Sequence, residues 1–233
     1  YPKKIYFLQL GGVYGELDRE KDYMITLKAA HAKDLLDKQS EYLALAQLLL
    51  LNQNPYWAAE VIVSGQKKIT TYTETVKDKV TGEEKKIEKT GPVVKDTEKN
   101  LRLLADSWRM AQEIDKAIPV LEKAAKLSKE GKPYVLLGNL YLSEDKVQLA
   151  VDAILKGLKK GKIDKLSQVH LTLGQAYFEL QKFDEAKKEF RIAARDKDKT
   201  IKSTANNWIK YTENEEIRVK NLALRREYIQ SQS

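Results

Sequence analysis

The chain has 233 residues and no cysteine; 33% of its residues are charged, 42% are hydrophobic, and 42 basic against 34 acidic side chains give a net charge of +8. This composition is typical of a globular protein with a sizeable core, and the missing cysteine excludes disulfides, thiolate metal sites and a cysteine nucleophile. The longest apolar run, residues 42–51, is too short to span a bilayer.

A spaced pattern of apolar and small residues recurs five times along the chain. In each copy, a leucine directly precedes a small residue. A bulky residue follows that small residue by three positions, and further residues of the pattern follow the small residue by 12, 16 and 19 positions. The small residues are Gly11, Ala46, Ala105, Gly138 and Gly174, with spacings of 35, 59, 33 and 36 residues. One repeat length of about 34 residues, with an insertion after the second copy, explains these spacings.

The spacing predicts a pair of antiparallel helices in each copy. The leucine and the bulky residue share one face of the first helix, and the later positions are spaced by four and three along the second. Small residues at the contact let the two backbones approach closely. This pattern resembles the tetratricopeptide repeat, which implies an all-α, right-handed α-solenoid of about five stacked hairpins.

The elements follow in chain order. We expect one solenoid over residues 1–233, with a capping helix and frayed tail in its last part and further repeats before Tyr1. Pro55 is tolerated in the first turn of a helix, whereas Pro119 is expected to bend the second helix of the third repeat or to mark a later start. The predicted repeats cover residues 4–37, 39–66, 98–130, 131–164 and 167–200, and the cap and tail cover 201–233. The predicted turns within hairpins are residues 52–55, 143–145 and 181–184.

Residues 67–97 interrupt the helical pattern. A stretch rich in β-branched residues, 69–76, is followed by a glycine-containing turn at 80–83 and a second extended stretch at 85–90. This order predicts a β-hairpin. Two interpretations stay open: a solvated excursion that keeps the protein soluble, or an arm that contacts a partner or a second protomer through its edge.

No combination of residues in the sequence supports catalysis. Of the two histidines, His170 takes a packing position of the fifth repeat, and His31 lies at the end of a helix, where a cation is mildly favourable. Gly11, Gly12 and Gly15 lack the preceding strand and the lysine of a phosphate-binding loop. We therefore expect neither an enzyme, nor a metal site, nor a cofactor.

The positive charge is dispersed among acidic residues. The nearest approach to a basic patch is at the end of the fourth repeat, formed by Lys156, Lys159, Lys160, Lys162 and Lys165. Nucleic-acid binding would favour arginine and aromatic residues in one groove, so it is not expected. An acidic protein or lipid headgroups remain an alternative for this lysine cluster.

The resemblance to tetratricopeptide repeats also implies a binding groove. Its concave face is lined by first-helix positions three before, one after and four after the small residue. These are Leu43, Gln47 and Leu50; Arg102, Asp106 and Arg109; Val135, Asn139 and Leu142; and Leu171, Gln175 and Phe178. Amide side chains flanked by apolar residues suit an extended or helical segment of a partner protein. The implied function is a non-catalytic interaction scaffold.

Several strings are similar to one subgroup of these proteins. They are residues 42–48, 55–59, 99–105, 116–119 and 208–211. The subgroup comprises periplasmic tetratricopeptide proteins associated with TonB–ExbB–ExbD transport systems, which implies a periplasmic adaptor whose partners belong to such a system. Residues 66–97 depart from it. A cytoplasmic location, a basic-surface binder of acidic partners, nucleic acid or lipid, and a self-associating spacer are the alternatives.

Overall fold

The computed structural model of the protein describes residues 3–77 and 84–232, which form eleven helices and two strands. Five helices open a hairpin: α1 (Lys4–Glu16), α3 (Gln39–Leu51), α5 (Glu98–Met110), α7 (Lys132–Ser143) and α9 (Leu166–Glu179). Each is followed by its antiparallel mate: α2 (Glu20–Ala32), α4 (Pro55–Lys67), α6 (Ile114–Leu127), α8 (Val147–Lys160) and α10 (Phe183–Ala193). The strands are β1 (Ile69–Lys77) and β2 (Glu84–Pro92), and α11 (Lys199–Ser231) comes last. The prediction of an all-α fold with a small β insertion is confirmed.

The helices form two compact units, residues 1–127 and 128–233. In the N-terminal unit, α1 packs on α2, α2 on α3, α3 on α4, α4 on α5 and α5 on α6. In the C-terminal unit, α7 packs on α8, α8 on α9, α9 on α10 and α10 on α11. Within each unit, therefore, neighbours in sequence are neighbours in space, which is the arrangement of repeat proteins.

Small residues allow the helices of a hairpin to approach closely, as the spacing predicts. A β-carbon on Gly138 of α7 would lie 2.5 Å from Cγ1 of Ile154 on α8. At the start of α7, a β-carbon on Gly131 would overlap the backbone carbonyl oxygen of Gly157. Backbone atoms cannot move aside as a flexible side chain can, so Gly131 has no larger substitute in this packing.

The five turns within hairpins share one backbone conformation. Each holds a residue in the left-handed region seven positions after the small residue, with φ between 54° and 62°: Asp18, Gln53, Gln112, Asp145 and Gln181. The next residue then donates its N–H to the carbonyl five positions earlier, as Lys182 does to Tyr177 at 2.9 Å. This is the Schellman arrangement that closes a helix. The repeat thus extends from the side-chain pattern to the turn itself.

Pro119 lies inside α6, which begins at Ile114. The predicted later start of this helix is wrong. Pro119 has no N–H to donate to the carbonyl of Asp115, and its ring crowds that carbonyl, yet α6 is continuous through this position and packs on α5. Pro55, by contrast, occupies the first turn of α4, as predicted.

The C-terminal helix α11 covers the last hairpin with its first half. Ala205 is fully buried in a cluster with Leu171, Ala186, Phe190 and Ala193 from α9 and α10. Thr212, one turn beyond Trp208, is also fully buried, whereas the residues from 220 to 231 are exposed. The predicted capping helix is confirmed, and it continues as an exposed helix to Ser231.

The insertion forms an antiparallel ribbon in which Ile69 pairs with Pro92 and Lys77 with Glu84. The predicted strands are confirmed, and the predicted turn at 80–83 lies outside the described residues. The base of the ribbon is anchored to the N-terminal unit. Val93 donates its N–H to the carbonyl of Lys68 at 2.8 Å, and Val94 is fully buried against α4.

Candidate binding surface

Four of the predicted groove residues meet in one cavity of the N-terminal unit. Its volume is about 350 Å³, and it lies between α3 and α5. The predicted residues lining it are Leu43, Gln47, Arg102 and Asp106, and they are joined by Glu98, Lys99, Asn100 and Leu103. The first helices of two successive hairpins therefore bring these side chains together, as the pattern implies.

The charges around this α3–α5 cavity are balanced. Arg102 Nη1 lies 3.3 Å from Glu98 Oε1, and Arg109 Nε lies 3.5 Å from Asp106 Oδ1. Both pairs are within α5 and partly exposed, so each is weak and readily exchanged for an interaction with a ligand. A surface of this kind favours a neutral or mixed-charge peptide over a highly charged ligand.

The three amide side chains of the predicted polar track are available to a ligand. Within the described residues, the side chains of Gln47, Asn139 and Gln175 have no hydrogen-bond partner in the protein. Gln47 and Asn139 are exposed, and Gln175 is half-buried. An amide group both donates and accepts, which matches the backbone of a bound peptide.

Some predicted groove residues have packing roles. Leu171 is only 5% exposed and belongs to the cluster around Phe190, so its assignment to the groove is corrected: it faces α10 and α11. Val135 and Leu142 are half-buried against the cluster that contains Val151 and Ile154. Two further predicted residues, the half-buried Leu50 on α3 and the exposed Arg109 on α5, are not among the residues that line the cavity.

An aromatic cluster that the groove prediction missed surrounds Phe178. The rings of Trp208 and Tyr211, both on α11, have centroids 5.5 Å and 5.3 Å from that of Phe178. A cavity of about 230 Å³ beside them is lined by Thr204, Asn207, Trp208 and Tyr211. We call Phe178, Trp208 and Tyr211 the α11 aromatic cluster. Trp208 stands one repeat length after Gly174 and Tyr211 three residues later, so the repeat pattern itself contained the signal.

Both histidines have structural contacts. His170 Nδ1 lies 2.6 Å from Oε2 of Glu189, which links α9 to α10. His31 Nε2 lies 2.8 Å from Oγ of Ser64, and its ring meets Tyr42 edge-on. Burial lowers the pKa of His31, which favours the neutral ring. His31 lies in the last turn of α2, as predicted, but burial at this position opposes the charged form of the ring.

The lysine cluster at the end of α8 is partly explained by local structure. Lys159 and Lys160 occupy the last turn of α8, where positive charge is favourable, and the Lys160 ammonium donates to the carbonyl of Ser128. Lys156, Lys159, Lys162 and Lys165 are exposed.

Among residues 3–77 and 84–232, no helix combines the length and the apolar character that a membrane span requires. The described residues also contain no group of three or more histidine, aspartate or glutamate side chains arranged to hold a metal ion.

Comparisons with known proteins agree with this architecture. The tetratricopeptide repeat family model matches residues 167–194, which are α9, α10 and the turn between them. No curated protein is significantly similar to the chain in sequence. A crystal structure of MamA protein is similar with a TM-score of 0.59 at 17% identity, covering 82% of this chain and 89% of MamA.

Two further solved structures are similar. MamA MSR-1 has a TM-score of 0.55 at 15% identity over 90% of this chain and 98% of its own. The C-terminal part of a TPR repeat-containing protein from Cytophaga hutchinsonii has a TM-score of 0.56 at 14% identity, over 81% of this chain and 64% of its own. Identities this low establish the fold alone. The predicted fold class, tetratricopeptide-like hairpins of the α-solenoid type, is confirmed, and residues 167–194 match the tetratricopeptide repeat family model.

Proposed function

We propose that this protein is a non-catalytic interaction scaffold that binds an extended or helical segment of a partner protein along the first helices of its hairpins. The observation that supports this most directly is the α3–α5 cavity, because four positions that the repeat pattern assigns to the groove line one space: Leu43, Gln47, Arg102 and Asp106. The side-chain amides of Gln47, Asn139 and Gln175, which have no hydrogen-bond partner among the described residues, supply donors and acceptors for a peptide backbone.

The α11 aromatic cluster supplies an anchor in the C-terminal unit. Tyr211 is 54% exposed, although its ring contacts Phe178 and Trp208. Tyrosine and tryptophan at a surface contribute large apolar areas with a polar tip, and they are enriched among residues that dominate binding energy. An apolar side chain of the partner fits the cavity between Trp208 and Asn207.

Selection from a random peptide library with the purified chain tests this proposal. Peptides that bind the α3–α5 cavity should lose affinity for Gln47→Ala, and peptides that bind beside the α11 aromatic cluster should lose affinity for Tyr211→Ala, because each variant removes an exposed contact group. Lys123→Ala, exposed on α6, is the matched control and should bind as the parent does. Truncation of a central interface residue costs about 1–2 kcal/mol or more, which corresponds to about tenfold or greater loss of affinity.

Salt dependence separates the alternatives. A peptide bound mainly by apolar and amide contacts should lose little affinity between low and high ionic strength. A polyanionic ligand bound through the exposed lysines at the end of α8 should lose affinity steeply as salt rises. Peptides that still bind the Gln47 and Tyr211 variants with parental affinity would contradict the groove proposal.

The cellular setting proposed is a periplasmic assembly of the TonB type. Its support is the resemblance of residues 42–48, 99–105 and 208–211 to that subgroup. Crosslinking in the native envelope fraction, followed by pull-down and mass spectrometry, tests it. Recovery of TonB, ExbB or ExbD with the parent chain, and reduced recovery with Tyr211→Ala, supports the periplasmic setting. Recovery of cytoplasmic proteins alone overturns the periplasmic setting but leaves the groove proposal unchanged.

A further inference from the structure

The β ribbon of the insertion has little intramolecular packing beyond its base. On β2, every side chain from Glu84 to Thr90 is exposed, and on β1 the side chains of Thr71, Thr73 and Thr75 are exposed. An isolated two-stranded hairpin is marginally stable in water, and three or more strands are needed for independent stability. An added strand would therefore increase the stability of the ribbon.

The two outer edges of the ribbon differ in their chemistry. The β2 edge carries lysines and glutamates and ends in Pro92, which are the features that protect natural edge strands from pairing. β1 reads ITTYTETVK and is rich in β-branched residues. Its Glu74 is paired with Lys89 at 2.5 Å. Among the described residues, β1 pairs with no strand except β2, so its outer edge is open to pairing.

We propose that two copies of this chain associate through the outer edges of β1, which run antiparallel about a two-fold axis at Thr73. The product is a four-stranded sheet in the order β2-β1-β1-β2. In this register, Thr73 of each copy faces Thr73 of the other, and Thr71 faces Thr75 of the second copy. Threonine pairs across strands form favourable contacts on a pleated surface, and no like charges stand directly opposite each other.

The face of the ribbon that carries Tyr72 and Glu74, opposite to the threonine face, supplies complementary charge. The ammonium of Lys95 lies 3.8 Å from the centroid of the Tyr72 ring, and among the described residues it has no carboxylate partner within salt-bridge distance. The same two-fold register places Glu74 of the second copy opposite Tyr72. Each Lys95, whose charge already acts on Glu74 of its own chain, then also faces the Glu74 carboxylate of the other copy, and the two-fold axis repeats this attraction.

The edge asymmetry also limits the assembly to two copies. After β1 pairs with β1, the outer strands of the sheet are both β2, whose lysines and Pro92 disfavour further addition. A two-fold interface of this kind is closed, because the same patch serves both copies. The inference therefore predicts a dimer and no fibre, and it does not depend on the groove proposed above.

Sedimentation velocity over a concentration series tests the dimer, with a chain mass of 26.7 kDa as the monomer reference. The parent chain should shift toward twice this mass as concentration rises. Thr73→Glu should weaken the dimer by about tenfold or more, because it places two carboxylates together at the two-fold axis. Thr90→Glu is the control for added charge on the same exposed face: Thr90 pairs with Thr71 but belongs to β2, so the dimer should persist. Thr73 also pairs with Glu88 of its own ribbon, so the charge swap below is needed to separate the two effects.

A charge swap separates loss of the interface from loss of the hairpin. Mixing Thr73→Glu with Thr73→Lys should restore a dimer that contains one copy of each, because opposite charges then meet at the axis. A parent chain that stays monomeric at its highest soluble concentration overturns the proposal. So does equal weakening by Thr73→Glu and Thr90→Glu, or failure of the mixture to regain the dimer.

Discussion

The ring of Phe190 occupies the space that a β-carbon on Gly174 would need: Cε1 of the ring lies 2.5 Å from that position, and Phe190 is fully buried. Helices α9 and α10 are therefore held together by a glycine on one side and a large ring on the other. This is the contact that the spacing of 16 residues between the two positions anticipated.

Gly174→Ala should destabilise the protein by about 1–3 kcal/mol, because Phe190 cannot rearrange without disturbing its buried neighbours. Gly12→Ala is the control. Gly12 also lies within a helix, but a β-carbon there meets nothing within 4 Å, so alanine should stabilise by about 0.5–1 kcal/mol through a less flexible unfolded chain. Urea denaturation measures both. A Gly174→Ala protein as stable as the parent would show that the hairpin can relax.

Gln112→Gly and Gln181→Gly should each stabilise the protein by up to about 1 kcal/mol, because both residues have positive φ, which penalises a side chain. Asp145→Gly should gain less, since aspartate tolerates this conformation better. Thermal unfolding gives the order. Lys123→Gly, placed in the middle of α6, should cost about 1 kcal/mol, and a gain there would contradict the explanation.

Trp208→Ala should cost about 3–5 kcal/mol, because its ring stacks on Phe190 at 5.5 Å and meets Phe178 and Tyr211. Tyr211→Ala should cost far less, since that side chain is largely exposed. The comparison decides whether Tyr211 is available for binding. Equal destabilisation by the two substitutions would assign Tyr211 to the core.

Glu216→Gln should loosen α11 from α10. The carboxylate of Glu216 lies 2.7 Å from the ammonium of Lys187, and its hydrogen bonds to Lys187 and Lys220 lower its pKa to about 2. A carboxyl with a depressed pKa stabilises the folded state above its ordinary pKa, and this contribution is lost as the pH falls toward 2.

Hydrogen exchange of α11 amides near Thr212 measures this attachment. Faster exchange is expected for Glu216→Gln. Glu215→Gln is the matched control, because Glu215 pairs with Arg218 within α11 and should leave the exchange of this region unchanged. Identical exchange in both variants would remove the role of the α10–α11 pair.

Stability should decline as the pH falls below the ordinary His31 pKa of 6.5. Burial lowers the pKa of His31 in the folded protein, so the unfolded chain binds more protons in this range and folding weakens on acidification. Asp34 opposes the shift and Lys68 reinforces it. The free energy of unfolding should therefore depend less on pH between 7.5 and 5.5, a range of about two pH units around that pKa, in His31→Asn than in the parent. Equal slopes would show that His31 does not protonate in this range.

The sequence alone determined the helical hairpins of this protein, three of their five turns and the two strands of the β ribbon between Lys67 and Glu98. The reason is physical: repeat spacing, small residues at helix contacts and strand composition are local or periodic properties that one chain displays directly. The sequence also predicts the capping helix, because the repeat pattern stops after α10 while a stripe of apolar residues continues beyond it.

Only the tertiary structure decided which side chains are free to bind. Leu171 and Gln175 lie one turn apart on α9, yet the first is buried against α10 and α11, and the amide of the second has no partner in the described part of the chain. Burial beside Tyr42 lowers the pKa of His31. Lys95 came to lie over Tyr72, which is distant in sequence, because the base of the ribbon is anchored at Lys68 and Val93. Burial and charge environment depend on contacts between distant elements, and no local pattern encodes them.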